Sequence, residues 1–256
     1  MNPLSRRKLI TGSIAAGVAG TAGLVAASRI GRRYTLMGGL IAPDCRGPYG
    51  AGETLTYAAQ RLLGAHSLAR EFPRGMISKA PFANAVAPPN AEFKLHQAQG
   101  FANWRLVVEG MVAHPASLSL ADLRTLPVHS QITEVACEEG WSYIAEWIGT
   151  PLSGVLQEVG VLPQARYVVY KSIDGVWDSL DMTEAMHPQT LLTMGMNDGD
   201  LPVGFGGPLR LRVPRQLGYK SAKFVNRMIV ADSLKGFGKG LGSIEPEYGY
   251  SWYAGI

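Results

Sequence analysis

Two stretches hold the residue types that do chemistry. In "ITEVACEEGWS", residues 132–142, Cys137 is one of only two cysteines in 256 residues, set between an apolar run and a Glu-Glu-Gly-Trp turn. Three roles are open to it. A buried thiol behaves as a small hydrophobe. A nucleophile needs a base in hydrogen-bond reach, and His96, His114, His129 and His187 are available for that without being tied to the sulfur by spacing. A ligand to a soft metal needs only one protein thiolate when a sulfur-donating cofactor supplies the other donors.

The second stretch is "GGPLRLRVPRQLGYKSAK". Leu209, Leu211 and Val213 alternate with Arg210 and Arg212, so a strand here puts both arginines on one face and the aliphatics on the other. Arg215, Lys220 and Lys223 follow around Gly218 and Ser221. Such a run suits a phosphate-bearing ligand held by side-chain and backbone donors; a solvated strand edge is the other reading. The acidic neighbours upstream are Asp198 and Asp200.

The elements that must position these residues read as short strands and short helices. A helix is expected near Thr54–Leu68 inside a Gly/Pro/Ala-rich wrapping segment, 34–87. "WRLVVEGMV" and "ARYVVYKSID" read as strands, and "KFVNRMIVAD" as a closing strand. Ser119 is expected to cap a helix before Pro127, and Thr150 another that has Pro151 at its first position and stops at Gly160. Asp181 and Glu184 have capping-box spacing ahead of the His187-Pro188 step. Without a regular βαβ repeat, the fold class is α+β, with a main domain over 88–232 and a packed tail over 233–256.

Composition narrows the function. The net charge of +4 is more than accounted for by Arg6, Arg7, Lys8, Arg29, Arg32 and Arg33 in the first 33 residues, which contain no acidic residue. The remainder is near neutral, which argues against nucleic acid as a partner. "MNPLSRRKLITGSIAAGVAGTAGLVAAS" has paired arginines and a Gly/Ala-diluted apolar stretch, the pattern of a twin-arginine export signal over residues 1–33. Val25-Ala26-Ala27 offers a cleavage site, while the arginines just after it leave a retained anchor open. That route carries folded proteins to the periplasm, which suits a cofactor inserted beforehand. Neither cysteine lies in a Cys-x-x-Cys pair, which disfavours structural zinc and iron–sulfur ligation.

"ACEEGWSYIAEWIGTPLSGVLQEVGV" and "LDMTEAMHPQTLLTMGMNDGDLPVGFGGPLRLRVPRQLGYKSAKFV" together resemble the sulfite-oxidase-fold molybdopterin oxidoreductases. Within that family they are most similar to the bacterial exported branch that includes periplasmic methionine-sulfoxide reductases. The resemblance spans residues 88–232. It implies that Cys137 ligates the molybdenum of a molybdenum-molybdopterin cofactor, and that Asn90, Phe93, His96, Ser172, Arg210, Ser221, Ala222 and Lys223 bind the pterin and its phosphate. It further implies two-electron oxygen-atom transfer on an S-oxide or N-oxide, with electrons from an external carrier such as a membrane cytochrome. Sulfite oxidation, a metal-free anion-binding module and a Cys–His hydrolase are the rivals.

Two departures from the family pattern stand out. Phe205 occupies the position of a family Asn, and Glu138 and Glu139 follow the cysteine, a poor setting for sulfite. Little chain follows Asp232, so no immunoglobulin-like domain is expected and a monomer is.

Overall fold

The computed structural model describes residues 39–47, 49–84, 87–88 and 90–256; the export-signal reading lies outside these residues. The described chain forms two compact units. The smaller joins the residues up to Ala65 with Glu245–Tyr253. Its helix α1 spans Gly50–Leu63. It ends earlier than expected because Gly64, a weak helix former, follows Leu63, and its N–H closes the last turn on the Gln60 carbonyl. Tyr57 packs edge-on against Trp252 and Tyr253, each at 5.4 Å, while the Asp44 carboxylate accepts the Trp252 N–H at 2.6 Å.

The larger unit, His66–Ile244 with Ala254–Ile256, contains two sheets. The first has the order β2-β1-β10-β5-β6, from Ala116–Ser119, Arg105–Gly110, Val225–Ala231, Tyr167–Ser172 and Trp177–Asp181. The second has the order β3-β4-β7-β8, with β9 also on β7, from His129–Ala136, Ser142–Pro151, Leu191–Met196, Gly199–Asp200 and Arg210–Arg212. Mixed strands and short helices bear out the α+β expectation.

The helices follow local capping chemistry. Helix α2, Ala91–Ala98, begins at Asn90, whose side chain accepts the Phe93 N–H. Helix α3, Leu120–Thr125, starts on a reciprocal Ser119–Asp122 capping box, as expected. Helix α4, Leu152–Glu158, starts one residue later than expected, with Pro151 as its cap residue. Thr150 is still paired with Leu192 in the ladder between β4 and β7, and its hydroxyl donates to the Leu123 carbonyl at 2.9 Å. Helix α5, Met182–Ala185, is capped by Asp181.

The arginine alternation in β9 divides as expected. Leu209, Leu211 and Val213 enter the main core with Leu106, Val108, Tyr170 and Met228. Arg210 and Arg212 lie over the ring of Trp147 on β4, 5.1 and 5.5 Å from its centroid. Trp147 belongs to a second, smaller core with Val135, Tyr143, Ala145, Met196 and Leu201. A solvated strand edge is excluded, since Arg210 is 4% exposed and Arg212 fully buried.

Candidate molybdopterin site

Cys137 opens the hairpin loop between β3 and β4. Its N–H bonds the Trp141 carbonyl at 2.9 Å and its carbonyl accepts the Gly140 N–H at 3.0 Å. Gly140 sits at φ 89, a conformation that glycine adopts without steric cost. The turn holds the sulfur half-buried at the end of a rigid two-stranded ribbon. Gly218 packs against it from the Lys-rich loop: a Cβ there would lie 3.7 Å from the Cys137 Cα and 3.4 Å from the Ala136 carbonyl oxygen.

The sulfur's neighbours are acidic. The Glu138 carboxylate lies 3.3 Å from Sγ and that of Glu139 lies 4.0 Å away. Burial first, and then these carboxylates, push the thiol up to about 11, against the opposing pull of the Glu139 backbone. Without a metal the group is a thiol at neutral pH, and no histidine bonds it among the described residues. Both facts remove the Cys–His hydrolase reading. Trp141 stacks on Tyr143 (6.0 Å, 8°) and meets Phe82 edge-on at 5.1 Å. Glu139 ties this aromatic wall together by accepting from Trp141 Nε1 and Asn84 Nδ2, both at 3.0 Å.

Behind the sulfur lie the cations. Arg210 Nη1 donates to the Phe205 carbonyl at 2.9 Å. The contact comes from the Phe205 backbone, and the Phe205 ring packs edge-on to Tyr143. Burial holds the Arg210 guanidinium below its ordinary range, opposed by nearby Tyr143 and Cys137. Arg212 donates to Ser221 Oγ at 3.2 Å, Thr133 Oγ1 at 3.3 Å and the Glu134 carbonyl. Burial and then Arg210 bring it down to about 9. Lys223 donates to the Gly204 carbonyl at 2.7 Å and to that of Asn84; burial and then Arg210 lower it to about 8.

The other expected site residues converge on Lys223 through short links. Asn90 Nδ2 donates to the Ile173 carbonyl at 2.8 Å, next to Ser172, and the Ile173 N–H bonds the carbonyl of Phe224 at 3.2 Å, next to Lys223. Ser221 Oγ accepts from Arg212 and, at 3.0 Å, from the Val213 N–H, which leaves its own proton free to donate. The Ala222 carbonyl accepts from the Leu211 N–H, fixing the loop to β9.

Some expected residues serve differently. Phe93 is fully buried in the main core against Phe224 at 5.1 Å, so its side chain positions α2 instead of meeting a ligand. His96 stacks edge-on against Trp104 at 5.3 Å, with Nδ1 buried and unpartnered. Lys220, expected among the anion-binding cations, is instead fully buried and donates to Asp178 at 2.6 Å and to the Ser179 carbonyl at 2.9 Å. Arg215, expected in the same anion-binding run, is buried 3.9 Å from Glu184; Arg212 is likewise sealed from solvent. Sequence reasoning missed Tyr143 and Trp147, although the period-two spacing of Tyr143, Ala145 and Trp147 marked one strand face. An open cavity of about 500 Å3 lined by Arg124, Ile148, Met194 and Asp200 shares no residue with this site.

A half-buried thiol backed by buried cations on an α+β scaffold defines a class, and the comparisons agree. Residues 93–236, more than half of the chain, match the family described as "Oxidoreductase molybdopterin binding domain". The chain belongs to that family and is a molybdopterin-dependent oxidoreductase with a molybdenum-molybdopterin cofactor.

Among particular relatives, it is 36% identical over 196 residues to the "Putative protein-methionine-sulfoxide reductase subunit YedZ1" of Azospira oryzae, covering 76% of this chain and 70% of that one. It is 37% identical over 145 residues to the protein-methionine-sulfoxide reductase catalytic subunit MsrP of Ralstonia nicotianae, covering 50% of this chain and 44% of that one. The sulfane dehydrogenase SoxCD of Paracoccus pantotrophus shares the fold (TM-score 0.50, 22% identity, 66% of this chain and 46% of that one).

The residues fit such a cofactor. Arg210 Nε, Arg212 Nε and Ser172 Oγ are buried without a hydrogen-bond partner, and all can donate. Neither arginine has a carboxylate partner among the described residues. Buried cations and orphaned donors around one loop are stabilised by an anion. No group of three or more His, Cys, Asp or Glu is arranged for a metal among the described residues, so the thiolate of Cys137 suits a metal whose other donors come from the pterin dithiolene.

Proposed function

We propose that this oxidoreductase reduces an S-oxide or N-oxide: a sulfoxide takes two electrons and two protons, its S–O bond breaks, and the sulfide and water are released. When bound, the molybdenum supplies two-electron oxygen-atom exchange. Cys137 would be its protein ligand. Arg210, with Arg212 behind it, would hold the anionic pterin, while Lys223, Ser221 and Ala222 would take its phosphate end. Asn90 would fix the loop around Ser172, and His96 would offer its unpartnered nitrogen.

The observation that carries the substrate class is the mouth of the site. Two carboxylates within 4.0 Å of Sγ and a wall of Trp141, Tyr143 and Phe82 repel an oxyanion such as sulfite. They accept instead a neutral, dipolar group that carries apolar substituents. The names of the relatives, methionine-sulfoxide reductase subunits, point the same way. The electrons come from an external carrier, for which a membrane cytochrome is the candidate. The twin-arginine pattern at Ser5–Leu9 supports export of the folded protein to the periplasm.

The test is an assay of molybdenum-loaded protein with a reduced viologen as donor, against methionine sulfoxide, dimethyl sulfoxide and trimethylamine N-oxide. Sulfite is assayed in the opposite direction. Viologen oxidation dependent on an S-oxide or N-oxide is expected. Faster turnover of sulfite would overturn the reading.

A further inference from the structure

Helix α1 is apolar on the outside. At 100° per residue, Thr54, Tyr57, Ala58 and Arg61 form its buried side. Ala51, Leu55, Thr56, Ala59, Leu62 and Leu63 are exposed on an arc of roughly 140°. Leu62 and Leu63 are 65% and 89% exposed. The helix has only two charged residues, and neither is on this arc: Glu53 flanks it and Arg61 is buried against the ring of Tyr253 at 4.7 Å. A surface helix normally shows water its polar side. Here an uncharged leucine face is presented, with exposed Arg46 and Tyr49 just before it.

The sequence before the helix indicates what covers that face. Residues 9–28 are twenty in a row without a charge, a length matched to a bilayer core of about 30 Å. Arg29, Arg32 and Arg33 follow, the residue type that meets anionic headgroups. Ten residues separate Ser28 from Gly39, so a bilayer holding that stretch lies within about 35 Å of Gly39. Leucines with flanking Tyr and Arg make the composition of a helix lying in the membrane interface.

We propose that the outward face of α1, centred on Leu55, Leu62 and Leu63, docks on a lipid bilayer surface and holds the enzyme at the membrane. The proposal rests on residues 9–28 being retained as an anchor.

The test uses the full-length holoenzyme and vesicles of phosphatidylethanolamine with a minority of phosphatidylglycerol. Amide hydrogen exchange of residues 50–63 is followed with and without vesicles. Exchange in the wild type is expected to slow about ten-fold or more on vesicles, as burial of two leucines implies. Leu62→Glu/Leu63→Glu, at exposed positions where the fold tolerates change, should stay vesicle-bound through residues 9–28 yet lose the added protection. Four results would each overturn the proposal. The first is unchanged exchange of the wild type with vesicles, bound or not. The second is equal protection in the double variant. The third is protection already complete without lipid, as when the chain's own apolar stretch or a second copy covers the face. The last is protection that appears only with membranes still carrying their proteins, which identifies a protein partner.

Discussion

Replacing Arg210 by methionine separates the two opposing roles of a buried cation. In the cofactor-free protein Arg210 is 4% exposed. It donates a charged hydrogen bond to the Phe205 carbonyl, worth about 1.5–3 kcal/mol, has a further favourable contact with Tyr143, and makes a cation–π contact to Trp147, worth about 1–2 kcal/mol when desolvated. Against these stands the cost of burying a charge without a carboxylate partner, several kcal/mol by the general rule. The contributions nearly cancel, so Arg210→Met should change cofactor-free stability by no more than about 2 kcal/mol, a shift in Tm within about 6 °C. With the cofactor the balance tips. A charge-assisted bond to an anion is lost, and affinity should fall about ten- to hundred-fold. Arg210→Lys, which keeps the charge but not the planar fork, should fall between. Calorimetry on loaded and cofactor-free protein, with molybdenum counted per mole of folded chain, checks both halves. Full molybdenum occupancy in Arg210→Met, or a cofactor-free variant that no longer folds, would refute the reasoning.

Cys137→Ser should abolish turnover while leaving Tm of the cofactor-free protein within a few degrees, because a hard hydroxyl replaces the soft ligand at a half-buried site; near-normal activity would remove the cysteine from the metal. Lys223, lowered to about 8 in the cofactor-free protein by burial and Arg210, should be raised again by a bound phosphate, so the complex holds a proton that the cofactor-free protein releases above about 8. The contribution of Lys223 to cofactor affinity should therefore fall as pH rises through about 8, by at most about ten-fold per pH unit, so affinity above about 8 should be lower in the wild type relative to Lys223→Arg, which stays charged, than it is below 8. Comparing the two proteins across pH isolates this term because both share the Cys137 ionisation. Lys220→Met strands the buried Asp178 carboxylate and should cost about 3–5 kcal/mol, read as a large fall in Tm; a silent change would return Lys220 to the anion-binding set.

Much of the site was legible because its geometry is local. The turn at Cys137 needs only Gly140 within the same five residues, and Ser119 and Asp181 cap their helices through neighbours three positions away. The alternation in "PLRLRVP" fixed which residues share a face, since a strand permits no other arrangement. The family resemblance then supplied the cofactor, and the match over residues 93–236 agrees with it.

What the sequence could not decide is which of five similar cations the fold pairs with a buried carboxylate. Arg215 and Lys220 look no different from Arg210 and Lys223 until the chain brings Glu184 and Asp178 to them across 31 and 42 positions. The same folding lays Trp147 of β4 under both guanidiniums of β9, two strands that are joined only through β7. Local pattern dictates the direction of a side chain, whereas its partner is set by strand order and packing between distant segments. In a buried site the partner determines whether a charge is neutralised by the protein or left for a ligand to stabilise.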